Sequence, residues 1–116
     1  MKKVLIVART SPYGTVLPGE AFLAGIALRS MDIDTKLVLT DDGIFAAVKG
    51  QKAEAIGHKS VEDAIGSAPD FGLPVYLHRE AIQERGIDPS QLLPLEMIDA
   101  NTLKDMVKEA DAIMTF

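Results

Sequence analysis

Short apolar runs alternate with helical patterns along the whole chain, and this alternation restricts the fold more than any other feature. The run KVLIVAR (3–9) is almost continuously apolar, as in a strand that is covered on both faces. A helix is predicted over residues 19–31, where apolar side chains recur at three- and four-residue spacing. Because strands alternate with helices, we expect a parallel sheet with right-handed crossovers.

The remaining segments complete five strands. Further strands are predicted at TKLVLT (35–40), LPVYLH (73–78), LPLEMID (93–99) and DAIMTF (111–116). Helices are predicted between them, at 44–48, 60–68, 79–85 and 101–110, with Ser60 and Asn101 as caps of the second and the last. Five strands in 116 residues fit a flavodoxin-like three-layer sandwich with a mainly parallel sheet, formed by residues 1–116 as a single domain.

Composition and charge exclude several classes of partner. The formal net charge is -5, and the basic residues never cluster beyond a pair such as Lys2-Lys3, so direct nucleic-acid binding is disfavoured. The apolar runs have strand length, far below the ~20 residues that span a bilayer, so no membrane role is expected. The start MKKVLIV is interrupted by Arg9 and is interpreted as a strand rather than a signal peptide, which predicts a cytoplasmic location.

The sequence contains no cysteine. This excludes disulfides, thiolate metal sites and any cysteine nucleophile or sulfur carrier within the chain. The only histidines are His58, in a polar loop, and His78, and two histidines this far apart do not specify a metal site. We therefore expect neither a metal nor a cofactor.

Three loops are expected to follow the carboxyl ends of strands, where α/β sheets bind their ligands. They are the TSPYGTVLPG loop (10–19), DDG (41–43) and the junction at His78. The first loop lacks the spacing of a dinucleotide or Walker A motif, so it either holds an anion before a helix or only turns the chain. The candidate residues of a ligand or partner pocket are Ser11, Tyr13, Gly14, Asp42, Gly43 and His78.

Two constellations within this set have competing interpretations. DDG could bind a cation, but helix capping by Asp41 or Asp42 with a glycine turn explains it better. A Ser11–His78–Asp42 relay is conceivable because all three residues follow strands, yet no nucleophile elbow is present and coincidence is the better explanation. His78 alone is a general acid or base, a helix cap, or a residue without a chemical task.

Four segments together resemble one family. They are the SPYGT loop, DDGIFAAVKGQ after the second strand, VYLHREAIQERGI around the third, and the ending EADAIMTF, in order and over nearly the whole length. In these segments the chain resembles the DsrE/DsrF-like sulfur-relay family, and within it the DsrF/TusC branch. The resemblance implies a flavodoxin-like fold and a cytoplasmic hexamer that contains two copies each of this chain, a DsrE/TusD-like partner and a DsrH/TusB-like partner.

The resemblance also implies a role for the position of His78. In the DsrE-type subunit, persulfide sulfur is carried by a cysteine at the end of the third strand, and His78 stands at the matching position here. Imidazole cannot form a persulfide, so we expect a non-catalytic subunit of a relay that serves tRNA thiolation or sulfur oxidation. The alternative is a stand-alone homo-oligomer that binds a small molecule or an anion. An enzyme that uses His78 as acid or base ranks last.

Overall fold

A computed structural model describes residues 2–11, 17–49 and 61–116. The strands are β1 Lys3–Ala8, β2 Asp34–Leu39, β3 Val75–His78, β4 Glu96–Ile98 and β5 Ala112–Thr115. The α-helices are α1 Leu17–Ser30, α2 Val61–Ser67, α3 Arg79–Glu84 and α4 Ala100–Glu109. Shorter 3-10 helices lie at Asp41–Ala47, Ala68–Phe71 and Pro89–Gln91. Within these described ranges, no helix is long and apolar enough to cross a membrane.

The five strands form one sheet in the order β4-β3-β2-β1-β5, and every pairing is parallel. The predicted α/β fold with a five-stranded sheet is confirmed. Flavodoxin itself has the order 2-1-3-4-5, whereas here the chain moves outward from β1 to β4 and then returns past β1 to β5. Right-handed crossovers therefore place α1, α2 and α3 on one face and α4 on the other.

The two faces of the sheet carry cores of unequal size. On the first face, sixteen buried residues form one cluster, which includes Ala21 of α1, Ile65 of α2 and Ile82 of α3. On the second face, the buried apolar residues of the described ranges are Leu5, Val38 and Ile98, and α4 packs on them through Leu103 and Met106. The first layer therefore provides most of the hydrophobic stabilisation, in proportion to the apolar area that it removes from water.

Several element boundaries differ from the sequence prediction. The segment after β2 is a 3-10 helix that begins at Asp41, earlier than the helix predicted at 44–48. β4 has only three residues, consistent with Pro94 just before it. The predicted cap of α4 at Asn101 is wrong: Asp99 is the N-cap, and its Oδ1 accepts a hydrogen bond from the backbone N–H of Thr102 at 2.8 Å. Ser60, the predicted cap of α2, lies outside the described residues.

Candidate functional site

The candidate site lies where β1, β2 and β3 end side by side. The register pairs Ala8 with Leu39 and Leu39 with Leu77, so the next residues of β2 and β3, Thr40 and His78, meet at this edge. The backbone N–H of Thr40 donates to the carbonyl oxygen of Ala8 at 3.0 Å, which continues the ladder by one residue. The site is therefore built on the rigid ends of central strands.

Gly43 is buried directly against β1. A Cβ atom at this position would lie 2.0 Å from the carbonyl oxygen of Ala8 and 2.8 Å from its carbonyl carbon. No side chain fits between these two backbone segments, so glycine is required by close approach. The predicted pocket residue Gly43 therefore sets the distance between the 3-10 helix and β1.

The two aspartates of DDG form hydrogen bonds with different arginines. Asp41 Oδ2 accepts a hydrogen bond from Arg9 Nε at 2.7 Å, and Asp42 Oδ1 accepts one from Arg85 Nε at 3.0 Å. The predicted capping role is wrong, because the cap position is Thr40, without a side-chain cap bond, and Asp41, with φ +50°, is the first residue of the helix. Within the described segments, no group of three or more histidines or acids is arranged to hold a metal ion.

His78 has a different polar group next to each ring nitrogen. Nδ1 lies 2.8 Å from the hydroxyl oxygen of Thr40, and Nε2 lies 3.7 Å from Oε1 of Glu80. The other carboxylate oxygen, Oε2, accepts a hydrogen bond from the backbone N–H of Ala100 at 2.9 Å. Two separate hydrogen bonds, Thr40–His78 and Glu80–Ala100, thus tie the end of β2 to the end of β3 and α3 to the first residue of α4.

The side chains of His78 and Thr40 are shielded from solvent. The His78 side chain is 17% exposed, and Thr40 is 7% exposed as a residue. Nε2 of His78 and Oε1 of Glu80 are buried and, among the residues that the structure describes, neither has a hydrogen-bond partner. A separation of 3.7 Å is too long for a direct hydrogen bond, so these atoms face each other across a gap without being joined. The geometry therefore supports a structural role for His78, whose ring is largely closed to solvent.

The capping interpretation of His78 holds only for its backbone. His78 occupies the N-cap position of α3, but its side chain makes no cap bond because the imidazole turns to Thr40. Asp42 is bonded to Arg85, so the Ser11–His78–Asp42 relay is not formed. Ser11 is half-buried after the end of β1, while Tyr13, Gly14 and His58 lie outside the described residues.

Thr40 and Glu80 are site residues that the sequence interpretation missed. Thr40 is the last residue of TKLVLT, and Glu80 follows His78 by two positions. A polar residue that ends a predicted core strand was the available signal for Thr40. For Glu80 the helical pattern gave no such signal, because its partner Ala100 lies 20 residues further along the chain.

Tyr76 is the other titratable side chain of β3. It lies two residues before His78, on the same face of the sheet. Partial burial raises the pKa of the Tyr76 hydroxyl above its usual value, the Glu96 carboxylate raises it further, and Arg29 acts in the opposite direction. The hydroxyl therefore stays protonated at neutral pH, so β3 presents no phenolate base.

Comparisons with known proteins agree with this architecture. The DsrE/DsrF-like family model matches residues 2–116. The intracellular sulfur oxidation protein DsrF of Allochromatium vinosum is 24% identical over 132 aligned positions, which cover 100% of this chain and 97% of that protein. The TusC homolog of Pseudomonas aeruginosa is 27% identical, with 98% of each chain covered.

A solved structure extends the agreement to three dimensions. The ychN protein from Escherichia coli superimposes with a TM-score of 0.87 at 28% identity, and the match covers 100% of both chains. The sequence match and the structural match both run from end to end, so they apply to the whole domain. This chain belongs to the DsrE/DsrF-like family.

Proposed function

We propose that this chain is a non-catalytic subunit of an intracellular sulfur-relay complex. The observation that carries the proposal is the absence of cysteine from a chain whose relatives include DsrF and TusC proteins. A persulfide forms on a thiol, and cysteine is the only amino acid whose side chain is a thiol. This chain therefore has no group that could carry a persulfide. The sulfur must therefore travel on other chains of the complex.

The geometry at the end of β3 supports the same role. The resemblance implies that the carrier cysteine of the DsrE-type subunit stands at the position of His78. Here that position holds an imidazole that is engaged with Thr40 and shielded from solvent. A sulfur carrier needs an accessible thiol, whereas His78 connects secondary-structure elements. The residue acts as a structural substitute in a subunit that shapes or completes a partner's site.

The proposed partners are one DsrE/TusD-like chain and one DsrH/TusB-like chain, in a cytoplasmic hexamer with two copies of each subunit. The predicted pocket residues that would border the partner's reactive cysteine are Ser11, Asp42, Gly43 and His78, together with Tyr13 and Gly14, which lie outside the described residues. The relay would serve either tRNA thiolation, which the resemblance implies, or sulfur oxidation, which the name of the DsrF relative also gives.

Co-purification tests the proposal directly. For this experiment an affinity tag is fused to the chain, and the tagged protein is purified from its native cells. We expect the DsrE-like and DsrH-like chains to be recovered with it in equal amounts. The native mass of the purified complex should correspond to two copies of each subunit. In a sulfur-transfer assay, labelled sulfur should appear on the partner's cysteine and not on this chain. Recovery of neither partner would contradict the proposal.

A further inference from the structure

Helix α1 is apolar on the side that faces away from its own core. Ala21 and Ile26 pack in the larger core, as expected for an amphipathic helix. On the outer side, however, Leu23 is 64% exposed, and Met31, directly after the helix, is 67% exposed. A surface helix normally carries polar residues on its outer side. α1 therefore presents apolar surface that its own domain does not bury.

The 3-10 helix Ala68–Phe71 extends this surface. It lies in contact with α1, and Leu73, two residues after it, packs so near α1 that a Cβ atom on Gly25 would be 2.6 Å from its Cδ2. Gly72 has φ +81°, which turns the chain back so that Leu73 is buried while Phe71 stays 62% exposed. Single exposed apolar side chains are common, but large ones on adjoining elements mark an interaction surface.

Acidic residues surround these side chains. Glu20, Asp32 and Asp70 are all exposed, each within three positions of one of the three large apolar residues. The only cation in α1 and the 3-10 helix is Arg29, and it turns inward. Its Nη2 lies 3.1 Å from Oδ1 of Asp34 and 2.7 Å from the carbonyl oxygen of Thr35. We call Leu23, Met31 and Phe71, with Glu20, Asp32 and Asp70, the α1 outer face.

We infer that the α1 outer face docks a partner protein whose matching surface is apolar in the centre and carries Lys or Arg at its edge. Two copies of this face would bring three acids against three acids, in a chain of net charge -5, so a second copy is disfavoured as the occupant. The inference rests on the proposed assembly, and it names the surface by which this chain meets a sister subunit.

Binding kinetics with the purified sister subunits test the inference. Leu23→Ser and Phe71→Ser should each weaken binding by more than about tenfold, because they remove apolar anchors from the centre of the surface. The double variant Glu20→Gln/Asp70→Asn should slow association severalfold at low salt and reduce its salt dependence. The matched control is Ile113→Ser on β5, a side chain that is 47% exposed elsewhere, and its affinity should stay within about twofold of the wild type. Thermal unfolding checks that every variant is folded.

Each outcome decides between the two ideas. If the wild type binds its sister subunits and the α1 variants bind equally well, the inference is overturned and the proposed function stands. If the wild type binds neither sister subunit, the proposed function fails. The native mass of the purified chain by itself then tests the inference. A homo-oligomer that Leu23→Ser dissociates would show a second copy on this face, and a monomer would show no docking, so both results overturn it.

Discussion

At the end of β3, the imidazole of His78 is bonded to the hydroxyl of Thr40 and leaves its second nitrogen facing Glu80. The residue that first suggests acid–base chemistry is thereby held by Thr40, which follows β2. Its surroundings also determine what a different side chain would experience there. A thiol at this position would have the Glu80 carboxylate as its charged neighbour, because that group faces the ring that the thiol would replace. Such an environment opposes the thiolate form that sulfur chemistry needs.

His78→Cys tests this environment. We expect the introduced thiol, the only one in the protein, to react with iodoacetamide at neutral pH about tenfold more slowly than glutathione, because a neighbouring carboxylate and burial both raise a thiol pKa. Adding Glu80→Gln removes the carboxylate charge while keeping the shape. The double variant should therefore react severalfold faster, and equal rates in the two variants would rule out control by Glu80.

Gly43 gives a second prediction at the scale of one residue. Gly43→Ala places a methyl group against the Ala8 carbonyl and should lower the free energy of unfolding by about 2–3 kcal/mol, as overpacking does when backbone must move. Gly66→Ala in α2 is the control, because its Cβ would meet Leu93 Cδ1 at an ordinary 3.7 Å. Urea unfolding of both variants makes the comparison, and a Gly43→Ala protein as stable as Gly66→Ala would show that the contact relaxes easily.

At the scale of elements, hydrophobic periodicity predicted the five strands and the long helices from sequence alone. It could not predict the details that depend on distant residues. The 3-10 helix after β2 begins at Asp41, whose φ is +50° and whose carboxylate bonds to Arg9, 32 positions earlier. Asn101 was an equally suitable cap by composition, but the chain direction at the end of β4 makes Asp99 the residue that reaches the first turn of α4. The link from Glu80 to Ala100 is of the same kind.

The cap of α4 should make stability depend on pH. The hydrogen bond from the Thr102 N–H to its carboxylate lowers the pKa of Asp99, with a smaller contribution from Arg79. The folded chain therefore releases this proton more readily than the unfolded chain, so the stabilisation is present above about pH 4, the ordinary pKa of aspartate, and is lost as the pH falls through the lowered value.

Substitutions at Asp99 separate the cap from its charge. Asp99→Ala should lower the urea midpoint at pH 7, and its difference from the wild type should shrink below about pH 4. Asp99→Asn keeps a capping oxygen but cannot titrate, so it should retain most of the stability at pH 7 without that pH dependence. Urea titrations from pH 7 to pH 3 measure all three proteins, and a constant difference across this range would contradict the assignment.

At the scale of the whole molecule, the two sides of the sheet are unequally built. In the described part of the chain, three helices and a large core cover one side, while α4 covers the other over three buried apolar residues. All four residues of β5 are exposed in the isolated chain, and its Ile113 and Met114 are among the large exposed apolar side chains. The α4 side is therefore the thinner half of the domain, and its local opening should need less energy than opening of the other side.

Amide hydrogen exchange measures this asymmetry. We expect the amides of β1 and β2 to exchange only with global unfolding, and those of α4 to exchange at least about tenfold faster through local opening. Helix α1, which packs on the larger core, is the internal reference and should exchange more slowly than α4. Equal protection of the two helices would show that the domain opens as one unit despite its uneven cores.

The return of the chain to β5 also affects folding. β5 pairs with β1 across a separation of about a hundred residues, and beside this pairing the Lys3 N–H donates to the Asp111 carboxylate, a sequence separation of 108. Contacts this distant in sequence form slowly because loop closure must come first. Until β5 arrives, the backbone edge of KVLIVA is open, and an apolar edge of this kind is a template for aggregation. β5 therefore covers the otherwise open edge of β1. Its docking should determine how much of the newly made protein stays in solution.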